Sequence, residues 1–215
     1  MVKLYPLFLN IEQKNCLVVG GGSVACRKVK NLLECGASVE VITMEAQEEL
    51  IKLSQEPHSP VKMTLRPFQA GDEKGRFLVF AATGDSALNC EIAALCRREN
   101  TWLNAVDDPE NCDFYVPALL RRGEVTAAVS TSGNSPILAA HLRDQIARIL
   151  PEEVGTLAQI LGEVREKVAA SALTYAQKKE FYRSLLAQDF IQCLEEGKEE
   201  EVRERVNQCI SSWLD

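Results

Sequence analysis

Asn15-Cys16-Leu17-Val18-Val19-Gly20-Gly21-Gly22-Ser23-Val24-Ala25 decides the fold. Its first five residues read as a strand, and its glycines fit GxGxxA. From Ser23 to about Cys35, Ala25, Val29, Leu32 and Leu33 fall at i, i+4, i+7 and i+8, one apolar stripe of a helix. Gly36 follows where a left-handed C-terminal cap belongs. A strand, a glycine turn and a helix in that order let a pyrophosphate approach the amides at the helix N-terminus, where the dipole favours negative charge. Taken alone, the motif also describes a turn that only packs a helix on a strand; the flanking strand and helix favour the binding reading.

Outward from this stretch the pattern alternates. Ser38 to Thr43 reads as a second strand, Glu45 to about Leu53 as a helix, Val61 to Phe68 and Phe77 to Thr83 as strands, Ala87 to Glu99 as a helix and Trp102 to Val106 as a fifth strand. Such alternation belongs to an α/β fold with a Rossmann-like parallel sheet. After Pro109 the pattern changes. Phe114 to Leu120 and Glu124 to Ser130 read as a β-hairpin with Arg121-Arg122-Gly123 at its tip, and Asn134-Ser135-Pro136 opens a helix carrying the stripe Leu138, Leu142, Ile146 and Ile149. Pro151 interrupts that helix, and everything beyond Glu152 is helical in composition. The expected division is therefore a nucleotide-binding domain at 1–112, a hairpin and helix region at 113–150 and a helical domain at 151–215.

Composition bounds the function. The 215 residues carry 24 basic and 31 acidic side chains and are 46% hydrophobic, a chain able to bury a core without staples. Its longest apolar run, Phe77 to Ala82, falls far short of the ~20 residues that cross a bilayer, and the N-terminus lacks a signal-peptide core, so no membrane role and a cytoplasmic location are expected. Residues 151–215 hold 8 basic against 13 acidic side chains, which argues against a nucleic-acid partner. The eight cysteines include no CxxC pair and read as reduced gap-fillers. His58 and His141 have no Cys or carboxylate at metal-ligand spacing, so no metal site is expected.

Three further groups carry chemistry. The second strand ends Ile42-Thr43-Met44-Glu45, where Glu45 is either the acid that binds a ribose hydroxyl or a first-turn glutamate favoured by the helix dipole. No arginine follows to welcome a 2′-phosphate, so NAD is preferred over NADP. Asn104-Ala105-Val106-Asp107-Asp108-Pro109 puts two carboxylates past the carboxyl end of a parallel strand, suited to proton transfer or, on spacing alone, to an ordinary turn. Thr131-Ser132-Gly133-Asn134-Ser135-Pro136 gathers hydroxyls and an amide at a helix start, and four arginines reverse the local charge of residues 113–150; both suit a polyanion.

In order, Val18-Val19-Gly20-Gly21-Gly22-Ser23-Val24-Ala25-Cys26-Arg27-Lys28, Leu78-Val79-Phe80-Ala81-Ala82-Thr83, Asn104-Ala105-Val106-Asp107, Ser130 through Pro136, Leu150-Pro151-Glu152-Glu153-Val154-Gly155 and Phe181-Tyr182 resemble the precorrin-2 dehydrogenase family. The resemblance implies that NAD+ takes a hydride from the polycarboxylate tetrapyrrole precorrin-2 while a proton leaves the macrocycle, giving sirohydrochlorin. It makes Asp107 the general base. It puts Gly20, Gly21, Gly22, Ser23, Val24, Met44, Glu45 and Thr83 against the cofactor. It gives Arg121, Arg122, Thr131, Ser132, Asn134 and Ser135 to the substrate, and implies a homodimer whose interface is the hairpin and following helix. Thr131 falls where sirohaem synthases often have serine. Some members of the family also insert iron, and the chemistry leaves that activity open here. A rival class is a non-catalytic NAD-sensing regulatory module, which would explain the glycine turn but not Asp107.

Overall fold

A computed structural model describes residues 3–214. The chain divides into two compact units, one reaching Val116 and one starting at Pro117. The first is built on five parallel strands, β1 (Asn15–Val19), β2 (Ser38–Thr43), β3 (Val61–Leu65), β4 (Leu78–Ala81) and β5 (Trp102–Ala105), in the order β3-β2-β1-β4-β5. Helices α1 (Ser23–Leu33), α2 (Glu48–Gln55) and α3 (Ser86–Glu99) make the crossovers. Because side chains alternate across a strand, β1 divides itself between two cores. Cys16 and Val18 face Val29 of α1, Leu50 of α2 and Phe80, whereas Leu17 and Val19 face Ile42, Val79, Ile92 of α3 and Leu103. Each such aliphatic side chain contributes roughly 1.5–3 kcal/mol when fully buried, so the sheet is fixed from both sides.

The strands and helices lie within a few residues of the expected limits, and the differences have local causes. Helix α2 starts at Glu48 rather than Glu45, because the Thr43 hydroxyl donates to the Glu45 carbonyl at 2.7 Å and folds residues 43–46 into a turn. Strand β3 stops at Leu65, before Arg66 and Pro67, whose ring has no amide to donate. Asp85 caps α3 by accepting from the amides of Ala87 and Leu88, and Asn100 ends it in the left-handed conformation. The first unit extends past the expected boundary at 112: Asp113 exchanges bonds with Leu103 through its amide and carboxylate, and the Phe114 ring meets Phe80 edge-on at 5.4 Å.

The second unit contains the antiparallel hairpin β6 (Ala118–Arg122) and β7 (Val125–Val129), then α4 (Pro136–Ile149), α5 (Glu153–Ala170), α6 (Tyr175–Leu186), α7 (Phe190–Glu195) and α8 (Glu199–Leu214). Here one expectation is corrected. Arg121 and Arg122 are not the hairpin tip; they are the last residues of β6, paired with Thr126 and Val125, and the turn is Gly123-Glu124. Gly123 has φ +53°, the left-handed value that two-residue hairpin turns demand. In the tail, Leu157, Ile160, Val164 and Val168 of α5 pack on Phe181, Leu185, Phe190, Val202, Val206 and Ile210. All six glutamates between 195 and 205 are exposed, the solvated face their composition suggested. Helix α4 is different. Ala139 is buried, but Leu138, Leu142 and Ile149 remain 48, 41 and 80% exposed. Among the described residues no helix is long and apolar enough to cross a membrane.

Candidate functional site at the carboxyl edge of the parallel sheet

In an open parallel sheet, ligands bind beyond the carboxyl ends of the strands, where the order reverses. That place lies here between β1 and β4, with the glycine turn on one side and Thr83 on the other. The three glycines have different tasks. Gly20 (φ +122°) passes so close to β4 that a Cβ would stand 2.3 Å from the Ala82 carbonyl oxygen, and a Cβ on Gly21 would stand 2.0 Å from that of Glu45. These two are required by the protein itself. Around Gly22 a Cβ would meet nothing within 4 Å.

Gly22 is also the N-cap of α1, and it has no side chain to satisfy the helix amides. The first bond closing the helix runs from the Cys26 amide to the Gly22 carbonyl, leaving the amides of Ser23, Val24 and Ala25 without intrahelical partners. No acidic residue lies in the first turn. Open space, unmet amides and an uncompensated dipole end together fit a pyrophosphate. Met44 and Glu45 lie exposed past the end of β2, and Glu45 meets the turn through its main chain, its carbonyl oxygen facing Gly21. Thr83 turns its hydroxyl inward, at 2.6 Å from the Asn89 amide oxygen and 3.0 Å from the Asp85 carbonyl, so it shapes the loop after β4.

Asp107 stands past the end of β5 on the same edge. It has φ +59°, a conformation that costs an L residue about 1–3 kcal/mol. Its side chain is exposed and makes no hydrogen bond or ion pair with another described residue. Its neighbours hold the loop in its place. The Cys112 thiol lies 3.1 Å from the Ala105 carbonyl and 3.3 Å from that of Asp108, and receives the Ala105 amide at 3.2 Å. Burial raises the pKa of this thiol, which keeps it protonated and able to donate. Asp108 accepts from Asn111 at 2.6 Å, before the single 3-10 turn Pro109–Asn111. Buried Asn104 ties β5 to the Phe114 carbonyl at 3.0 Å. Sequence reasoning overlooked Asn104 and Cys112 as loop braces; Asn104 lay inside a quoted motif, while Cys112 gave no signal.

The residues expected to meet a polyanion lie in the second unit, where most are engaged locally. Arg122 donates to the Leu150 carbonyl at 3.1 Å and pairs with Glu152 at 2.6 Å, thereby capping the C-terminus of α4. Thr131 exchanges two bonds with the Ser135 main chain, Asn134 donates to the Thr131 carbonyl at 2.9 Å, and Ser135 caps α4 by accepting from Leu138. Ser132 is exposed with φ +54°. Arg121 lies at the end of β6. Among the described residues no three His, Cys, Asp or Glu side chains gather as a metal-binding group.

Most of the chain is similar to known proteins. Residues 7–118 match a family model described as "Putative NAD(P)-binding", residues 122–149 one described as "Sirohaem biosynthesis protein central", and residues 153–210 one described as "Sirohaem synthase dimerisation region". A sirohaem synthase of Methylococcus capsulatus is 37% identical over 201 residues, covering 94% of this chain and 42% of that protein. One from Nitrosomonas eutropha is 34% identical over 211 residues, covering 98% and 44%. The chain thus spans less than half the length of these relatives. A solved structure titled "SirC, precorrin-2 dehydrogenase" shares the fold, with a TM-score of 0.77 at 22% identity over 95% of this chain and 100% of that one.

Proposed function

We propose that this chain, which belongs to the family described as "Putative NAD(P)-binding" and carries the sirohaem central and sirohaem synthase dimerisation regions after it, oxidises precorrin-2 to sirohydrochlorin with NAD+. The observation that carries this reading is Asp107, a carboxylate held in a costly conformation, without a partner among the described residues, on the sheet edge that also bears the open glycine turn. A module that only sensed the nucleotide would have no use for it.

NAD+, when bound, supplies the hydride acceptor. The chain's own residues do the rest. The amides of Ser23, Val24 and Ala25 hold the pyrophosphate, Gly22 leaves it room, and Glu45 binds the adenosine ribose. Asp107 takes the proton released when the macrocycle loses a hydride, so the substrate gives up two electrons and two hydrogens in all. The protein works as a cytoplasmic homodimer. The exposed Leu138, Leu142 and Ile149 of α4 form the same stripe the sequence displays, and a second copy would cover it.

The test is direct. Purified protein given precorrin-2 and NAD+ should produce NADH in step with sirohydrochlorin, and light scattering should show a dimer at micromolar concentration. Tight NAD+ binding without NADH formation would favour the sensing module instead.

A further inference from the structure

Lys28 is a partly buried cation that neither the glycine turn nor the Asp107 chemistry uses. It lies one helical turn beyond Val24, on the same face of α1, with its ammonium 5.2 Å from the centre of the Phe80 ring. No carboxylate pairs with it among the described residues, although lysines 14, 30, 52, 62 and 74 of the same unit are either exposed or salt-bridged. Burial lowers its pKa, and the neighbouring Arg27 lowers it further.

Direction follows from helix geometry. Side chains lean toward the N-terminus of their helix, and α1 begins at the carboxyl edge of the sheet. Lys28 thus rises beside Phe80, whose ring meets Phe114, toward the edge that carries Asp107. An apolar side chain would pack there at lower cost than a charge without a counter-ion. With a ring beside it and no carboxylate partner among the described residues, the ammonium is open to an anion from outside the unit.

We propose that Lys28 is a specificity-determining residue that binds a peripheral carboxylate of the tetrapyrrole, with the Phe80–Phe114 wall beside it, an assignment that rests on the substrate reading above. The ammonium makes a charge-assisted hydrogen bond to the carboxylate and holds the macrocycle equally well before and during the reaction.

The experiment compares the parent protein with Lys28→Met, Lys28→Gln and Lys28→Arg, and with Lys14→Met as control. Lys14 is a second lysine set over a ring, 5.7 Å from the centre of Phe77, but at the amino edge of the sheet. Two readouts are taken: steady-state kinetics with precorrin-2, and binding of a fully oxidised porphyrin polycarboxylate that cannot give up a hydride. Lys28→Met and Lys28→Gln should raise the precorrin-2 KM about tenfold to a hundredfold, the worth of one charged hydrogen bond, and weaken porphyrin binding to match. The effect on kcat should be small, NAD+ affinity should hold, and Lys28→Arg should recover most of the loss. Lys14→Met should resemble the parent. If folded Lys28→Met or Lys28→Gln binds the porphyrin as tightly as the parent, the assignment is overturned. A parent that binds the porphyrin but does not oxidise precorrin-2 overturns the dehydrogenase reading alone, and a parent that does neither overturns both.

Discussion

Two turns of this molecule look alike on paper and end in opposite states. The loop after β5 and the turn before α4 each follow a strand, each gather acids, amides or hydroxyls, and each place a residue in the left-handed region, Asp107 at +59° and Ser132 at +54°. In the first loop the neighbours meet one another's needs: Cys112 braces Ala105, Asn111 holds Asp108, and Asn104 holds the Phe114 carbonyl. Asp107 is left over. In the turn before α4, Thr131, Asn134 and Ser135 bond among themselves and to the start of the helix. A polar cluster marks a site when the fold leaves part of it unmet, and the type of side chain alone does not show this.

The largest test of the contrast is at Asp107. Asp107→Asn keeps the shape and cannot accept a proton, so kcat for precorrin-2 oxidation should fall about 10²- to 10⁴-fold while NAD+ still binds. Asp108→Asn, in the braced part of the same loop, should keep most of the activity. Equal losses in both variants, measured side by side, would erase the distinction between the unmet carboxylate and the engaged one.

Within the glycine turn the contrast recurs on a smaller scale. Gly22→Val should fold and lose NAD+ affinity by about tenfold or more, equivalent to ~1.4 kcal/mol, because its side chain takes the space meant for the pyrophosphate. Gly21→Ala must instead displace main chain, since its Cβ would lie 2.0 Å from the Glu45 oxygen, and should lower stability by about 3 kcal/mol. Calorimetry for the ligand and thermal melting for the fold separate these outcomes. A Gly22→Val protein with parental affinity would remove the pyrophosphate from this turn.

In the second unit the expected effects are on stability. Arg122→Gln gives up the charged bond to the Leu150 carbonyl and the pair with Glu152, which should cost about 1.5–3 kcal/mol in denaturant melts. A raised precorrin-2 KM at unchanged stability would return Arg122 to the substrate. Smallest of all, Ser135→Ala removes the cap of α4 and should cost about 1 kcal/mol without altering KM. Should the KM rise and stability hold, the two turns would prove more alike than their hydrogen bonds suggest.

Much of this was legible in the amino-acid sequence. Short apolar runs and period-3.6 stripes located the strands and helices of the first unit, because its sheet is buried on both faces and each helix on one. The glycine turn was legible because only glycine permits those approaches. What was not legible depended on pairing across space. The stripe Leu138, Leu142, Ile146 and Ile149 identifies α4 as a helix but not what covers its apolar side, and three of these residues face outward. The arginines looked like a hairpin tip because a register shift of two residues leaves the sequence pattern unchanged, whereas the glycine at 123 sets the turn. Cys112 gave no warning, and Lys28 ended the glycine motif without showing a role, since a thiol that braces a loop and an ammonium over a ring have no local sequence signature.

The close approach of Gly123 to Gly155 has a consequence for how the second unit opens. A Cβ on Gly155 would stand 2.5 Å from the Arg122 carbonyl oxygen, so the hairpin turn lies directly on the first coil of α5. A two-stranded hairpin is marginal by itself in water, and this one borrows its persistence from that seat. Its amides should therefore exchange with deuterium at rates set by the fraying of α5, and a bulkier residue at 155 should quicken exchange in both places together. The pair of glycines makes a strand turn and a helix start, about thirty residues apart in the chain, into one opening unit.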